Sequence, residues 1–474
     1  MRTLVWFRGK DLRLHDHPPL LDAIAAGEVV PLFVLDPYFF APERARELPH
    51  RIQFLLESLR ELSANIEALG SRLVVVEGKS TEVVPRLAQE WRVDRVVAHR
   101  WVEPIARQRD TRIAESLRVP FTLYEGEMLL PPGTMRTSSG APYSVFTPFM
   151  RAFMATAQIA RPLAAPGRIP PLPGDIVAND VAIPSCETLG IERNPGVIAG
   201  GERAASERLS RFAKAHAAGY DRSRDQLADE SGTSRISQDL KFGTLSARSA
   251  WHAVDPRASS PGAPVFRNEL VWREFAYSTL WDRPGVLEEP FRRAFTGFPW
   301  RADEGGWTAW AEGRTGFPVV DAAARQLLAT GFVHNRARMI AASFLTKHLM
   351  IDYRRGEAHY MRWLTDGDWA QNNFNWQWSA GCGCDAQPWF RVFNPRLQGE
   401  KFDTDGNYVR RWVPELSRMP AKWIHAPSEA PENVLREAGV GIGRDYPAPI
   451  VNHATARDRF LEAAGDHTKK ARRT

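Results

Sequence analysis

Residues 366–391 read DGDWAQNNFNWQWSAGCGCDAQPWFR, a window holding four tryptophans, the acids Asp366 and Asp368, and the amides Asn372 and Asn373. An indole buries a large area and keeps one N–H that needs a partner. It is also the most readily oxidised side chain. Such a window either walls a flat redox group and passes single electrons to it, or forms an aromatic core beside a polar loop. Both readings place it in a tightly packed half of the chain. Thirteen of the 16 tryptophans follow residue 205; only Trp6, Trp91 and Trp101 precede it. Past 205 the strand signals fade and helical ones dominate, so this half is expected to be all-α.

The first 130 residues read differently. Short β-branched or apolar runs at 3–7, 29–35, 73–77, 95–98 and 120–123 alternate with helical stretches. In 51–69 (RIQFLLESLRELSANIEAL), Ile52, Leu55, Leu59, Leu62, Ile66 and Leu69 recur at three- and four-residue steps and make one apolar stripe. This alternation predicts a Rossmann-like α/β domain with a five-stranded parallel sheet and flanking helices. Ligands on such sheets sit beyond the strand carboxyl ends. Neither GxGxxG nor GxxxxGK[ST] occurs here, which argues against a standard dinucleotide or P-loop site. Residues 162–201 are rich in Pro, Gly and Ala and read as irregular connector. A chain of 474 residues is too long for one core. The expected organisation is an α/β domain over 1–130, a connector over 131–204 and a helical domain over 205–474.

The net charge of +6 permits a phosphate-rich partner without requiring one. Three cysteines, Cys186, Cys382 and Cys384, form no disulfide framework. The Cys-x-Cys pair is half a metal site that no other cysteine completes, so no metal is expected. No apolar run is long enough to cross a bilayer, and the opening MRTLVWFRGKDLRLHD is too charged for a secretory signal. A cytoplasmic location is the default, and with no heptads a monomer is expected.

Four segments of the helical half carry unusual chemistry. Residues 232–237 (GTSRIS) put small hydroxyls before an apolar run; they are an anion site at a helix start or plain capping. In NELVWREF (268–275), Glu269, Trp272 and Arg273 share a helix face. That face suits stacking, hydrogen bonding to base N–H groups and phosphate contact, or it is a surface ion pair beside a core indole. In 332–349, Asn335 and Met339 are four residues apart, while Arg336 and Arg338 project elsewhere. A cation held in a cavity needs an anion nearby, which Asp366 of the opening window can supply. There Asp366 and Asp368 bracket Gly367, so a tight loop can offer both carboxylates to one ligand edge.

Together these segments resemble the DNA photolyase and cryptochrome family, most nearly the class I photolyases that repair cyclobutane pyrimidine dimers. The stretches that carry the resemblance are WFRGKDLRLHD, GTSRIS, FGTLS, NELVWREF, GFPVVDAAARQL, VHNRARMI, DGDWAQNN, NWQW and FRVFNPRLQGEKFD, in family order over essentially the whole chain. The resemblance implies an α/β antenna domain and a helical domain binding bent FAD. It assigns the FAD phosphate region to Tyr220, Thr233, Ser234, Arg235, Ile236 and Ser237. It assigns the ribose and isoalloxazine to Asp366, Gly367 and Asp368, with Arg338 paired to Asp366 and Asn372 facing the flavin N5. Contacts to the lesion and its DNA fall on Arg224, Glu269, Trp272, Arg273, Asn335, Arg336, Met339, Gln398 and Lys401. The implied reaction is light-driven electron transfer from reduced, anionic FAD to a flipped-out dimer, with Glu269 stabilising the dimer radical anion. Photolyases flip their target bases out of the stack, as enzymes that do chemistry on a base must. Met339 stands where (6-4) photolyases carry a His motif, so it points to the cyclobutane type.

The chain also departs from the family pattern. The photoreduction triad matches at Trp376 and Trp300, but its middle place holds Tyr353, a harder electron donor. Slower photoreduction is expected, or a detour through Trp369 or Trp378. Folate-binding members carry Asn-Glu where this chain has Ile105 and Ala106. That disfavours methenyltetrahydrofolate and leaves deazaflavin, FMN or an empty antenna site. The opening FRGKDLR is one residue longer than the usual form. The competing readings are a cryptochrome-type photoreceptor, which the short basic ending DHTKKARRT disfavours, a (6-4) photolyase, and a generic flavoprotein reductase.

Overall fold

The computed structural model describes residues 1–254 and 260–471, with side chains to residue 470. The last residues of the basic tail, 472–474, lie outside the described residues. The chain forms two compact units. The first comprises Met1–Asp221, Ser234–Pro284 and Thr365–Asp368; the second comprises Arg222–Thr233, Gly285–Leu364 and the chain from Trp369.

The first unit holds the sheet. Its strands are β1 (Arg2–Phe7), β2 (Glu28–Leu35), β3 (Val74–Glu77), β4 (Arg95–His99) and β5 (Phe121–Tyr124), in order β3-β2-β1-β4-β5 with every pair parallel. These are the five runs read from the sequence, displaced by a residue at most. Val5, Phe7, Val29 and Phe33 face one core, while Leu4, Trp6, Val30 and Leu32 face another, so both sides of the sheet are buried. Pro31 sits inside β2, opposite Val5. The pairing with β3 begins only at Leu32–Val74, so the missing proline N–H costs no ladder bond there. Helix α1 (Pro49–Ala68) buries Ile52, Leu55, Leu59, Leu62 and Ile66 of the predicted stripe.

The stretch expected to be connector contains a helix, α2 (Phe146–Thr156), which buries Phe146, Phe149 and Phe153. Their three- and four-residue spacing was overshadowed by the surrounding Pro and Gly. Residues 162–201 are irregular apart from one 3₁₀ turn, Glu187–Leu189. Helices α3 (Ser237–Phe242) and α4 (Gly262–Asp282) also belong to the first unit, although composition groups them with the helical half. The reason is aromatic packing. Phe275 and Trp272 of α4 meet Phe146 of α2, and Phe242 meets Phe54 of α1.

The second unit is helical. Its core gathers Trp310, Phe344, Tyr360, Trp376, Tyr408 and Phe460. The elements that carry candidate residues are α5 (Glu304–Ala311), α6 (Asn335–Ser343), α7 (Tyr353–Trp363), α8 (Trp369–Ala380) and α9 (Pro395–Phe402). Among the described residues no helix is long and apolar enough to cross a membrane.

Candidate active site

The assigned flavin residues divide between the units. Tyr220, Ser234–Ser237 and Asp366–Asp368 lie in the first, and Thr233, Arg338 and Asn372 in the second.

In the first unit, Ser237 opens α3, as the hydroxyl-rich signature implies. The cap position, however, is taken by Ile236, with no side-chain cap hydrogen bond. The hydroxyls of Thr233 and Ser234 therefore do not cap, and neither has a partner among the described residues. They remain as donors for a ligand's oxygens. Arg235 adopts φ of 52°, which turns the chain sharply just before the helix. A six-residue helix has a weak dipole, so any anion affinity here rests on hydroxyls and local N–H groups rather than on α3 as a whole.

Asp368 is buried and turned into a charge cluster that sequence reasoning missed. Its Oδ2 accepts from the Tyr277 hydroxyl at 2.9 Å and lies 3.2 Å from Lys10 Nζ. The same ammonium is 2.6 Å from Glu103 Oε1 and also contacts Glu127. Lys241 Nζ stands 3.7 Å from Glu103 and 3.8 Å from Asp368. Burial opposes a charge on Lys10, but Asp368, Glu103 and Glu127 outweigh it and hold the ammonium well above the usual lysine range. Burial and the nearby Lys10 push Lys241 down to about 8. Burial raises the Glu127 carboxyl against the pull of Lys10. The signal that pointed here was the lengthened FRGKDLR opening.

The assigned lesion face lies on α4. Glu269 and Trp272 are half-buried, and the indole of Trp272 stacks on Phe146 with centroids 3.4 Å apart and planes 7° apart. The Arg273 side chain is 11% exposed. Its guanidinium donates to the Glu127 carbonyl at 2.7 Å and lies 4.6 Å over the Tyr277 ring. Packing against Tyr277 four residues on draws it inward. Burial pushes its neighbour Glu274 up to about 7.

In the second unit, three segments carrying assigned DNA residues converge. Asn335 Nδ2 donates to Met339 Sδ at 3.7 Å across one turn of α6. Arg336 pairs with Asp225, beside Arg224, at 2.9 Å and lies over Phe402 at the end of α9. Leu227 N donates to the Phe402 carbonyl at 2.9 Å. Gln398 and the exposed Lys401 lie on α9. Arg338 Nε donates to the Val333 carbonyl at 2.7 Å.

Asn372, on α8, is buried and donates from Nδ2 to the Glu357 carbonyl at 2.9 Å, while Asn373 donates to the Glu357 carboxyl at 3.1 Å. Burial pushes that carboxyl up to about 7, against the Asn373 hydrogen bond. Trp376 packs on α7 where Gly356 leaves room; a Cβ there would fall 2.3 Å from the indole. The rings nearest Trp376 are Tyr360 at 5.2 Å and Trp310 at 6.0 Å, with Trp307 a further 5.5 Å from Trp310. Trp369 and Trp378, the expected detours, make no ring contact among the described residues. Tyr353 meets Trp300 at 6.3 Å, and its buried hydroxyl has no hydrogen-bond partner among the described residues.

Residues 266–466 match the FAD binding domain of DNA photolyase, and residues 3–168 match the DNA photolyase family. The chain is 40% identical to a deoxyribodipyrimidine photo-lyase of Agrobacterium fabrum, covering 97% of each. Its fold is similar to that of a bacterial class III photolyase from Agrobacterium tumefaciens, with TM-score 0.91 and 39% identity over 98% of each chain. It is likewise similar to a cryptochrome of Synechocystis, with TM-score 0.89 and 30% identity, covering 98% of this chain and 99% of that one.

Proposed function

The chain belongs to the DNA photolyase family, and we propose that it uses FAD and light to split cyclobutane pyrimidine dimers in ultraviolet-damaged DNA. Full-length likeness to a named deoxyribodipyrimidine photo-lyase carries the lyase assignment. Met339, engaged by Asn335, supports the cyclobutane type.

Bound, reduced FAD supplies a light-absorbing one-electron donor. The chain's own groups hold it and the lesion. The hydroxyls of Thr233 and Ser234, with Arg235, Ile236, Ser237 and Tyr220, take the phosphate region. Asp366, Gly367 and Asp368 take the ribose and ring edge, while Asn372 and Arg338 serve the ring. Trp272, backed by Phe146, is a rigid plate for a pyrimidine. Glu269 hydrogen-bonds the dimer and steadies the negative charge it gains. Asn335 and Met339 shape the pocket wall. Arg224, Gln398 and Lys401 hold the flanking strand, where phosphate contacts dominate affinity. A fused pyrimidine pair stacks poorly and costs less to evert than intact bases. Ile105 is exposed at 52% and Ala106 is buried, so the place of the folate-binding pair offers no polar anchor. This favours deazaflavin, FMN or an empty antenna site over methenyltetrahydrofolate.

Likeness to a cryptochrome supports a second reading as a blue-light receptor. The reduced protein is to be illuminated with oligothymidine bearing cyclobutane dimers and, separately, with a (6-4) photoproduct. Restoration of the first lesion alone is expected. FAD-loaded protein that restores neither belongs to the second reading.

A further inference from the structure

Lys10 lies in the opening that is one residue longer than the family's usual form, and it has no place in the repair chemistry. Its side chain is nonetheless 2% exposed, and its ammonium stands among Glu103, Glu127 and Asp368. The ligand oxygens of these three acids lie within 4.8 Å of one another, as a divalent cation would require. Lys10 provides the positive charge at that point. The fold is built to bring it there. Gly243, at φ of 62°, ends α3 so close to the loop that an added Cβ would meet the Lys10 carbonyl at 1.9 Å. Leu12 N donates to the Phe242 carbonyl and Arg13 donates to the Gly243 carbonyl, fixing the loop on both sides of that approach.

We propose that Lys10 is a positioning residue for the cofactor: it fixes Asp368 and the turn 365–368, and so the carboxylate edge that FAD meets. The inference rests on the reading of Asp368 as an FAD contact. The other groups facing the cluster are Lys241 from α3, Arg273 and Tyr277 from α4, and Arg51 from α1, whose charge acts on Asp368. Among the described residues Lys10 is the one cation in contact with all three carboxylates, so its loss leaves them without their shared counter-charge. Asp368 is then repelled by Glu103 and Glu127 and leaves its place. Removing one of those repelling carboxyls should restore it, which is not expected of a lysine that merely fills space.

The test is the FAD dissociation constant, read from flavin fluorescence, in Lys10→Met alone and combined with Glu127→Gln or Asp368→Asn. At least a tenfold loss of FAD affinity is expected in Lys10→Met. Glu127→Gln should bring it back to within threefold of the parent, and Lys10→Met should add little once Asp368→Asn is present. Should Lys10→Met not fold, Lys10→Gln carries the same comparison. Parent-like affinity in the lysine variant, or a loss that persists unchanged in both double variants, overturns the proposal while the FAD reading stands. A parent protein that binds no FAD, or an Asp368→Asn variant that binds it normally, overturns both.

Discussion

Tyr353, at the middle place of the proposed photoreduction chain, should set a rate without touching the repair step. Oxidising a phenol at neutral pH is practical only when its proton can leave. Burial raises the Tyr353 hydroxyl far above the ordinary range, and no described group accepts its proton. Tyr353→Trp should therefore speed light-driven flavin reduction severalfold in the presence of a thiol, whereas Tyr353→Phe should leave it nearly unchanged. A collapse of the rate in the Phe variant would show that the phenol carries the electron. Glu357 makes a different point. Its folded-state pKa is raised to about 7, so the protonated form is favoured in the fold. The associated stability is fully present below the unfolded value near 4.5 and is lost as pH climbs through about 7. Glu357→Gln keeps an acceptor for Asn373 and should be neutral at pH 5 but stabilising by about 1–3 kcal/mol at pH 8.5. Denaturant unfolding at the two pH values checks this; an equal effect at both refutes it.

At the level of elements, the junction between α3 and the opening loop is a close backbone approach within the first unit. Gly243→Ala combines a positive φ with a clash against backbone, so about 2 kcal/mol or more of stability should be lost. Urea unfolding would expose an error here if the variant matched the parent. This junction also marks where sequence reading stopped. All five strands and the α1 stripe were legible because period and burial agree there, as with Leu59 and Ile66 at 0% exposure. Asn335 and Met339 were legible because their contact is local, four residues apart on one helix. Lys10 and Asp368 are 358 residues apart, and nothing in either segment alone announces the other. The internal contacts of Arg273 were out of reach for a related reason. A helix-face argument says which residues share a side, but only packing decides whether that side meets water or Tyr277. Helix α2 was hidden because Phe146, Phe149 and Phe153 lie in a stretch whose Pro and Gly content signals irregular chain.

For the whole molecule, the question is how an ordinary basic protein selects damaged DNA. Its net charge is only +6, and two assigned arginines are engaged internally, Arg336 with Asp225 and Arg273 with the Glu127 carbonyl. Phosphate contact should then come from a few groups such as Arg224 and Lys401. Affinity for damaged duplex should fall about tenfold or more from low to physiological salt, while the preference over undamaged duplex survives. Titrations of both duplexes at several salt concentrations would contradict this if the preference vanished with salt, because selectivity would then be electrostatic rather than a matter of eversion. Repair remains the central issue. The decisive measurement is the thymine absorbance recovered from dimer-containing oligothymidine by the reduced, FAD-loaded protein, in blue light and in darkness. Recovery in light, none in darkness, and a reduced yield for Glu269→Ala with FAD still bound are predicted. Bound, reduced FAD that restores no thymine under illumination would contradict the account.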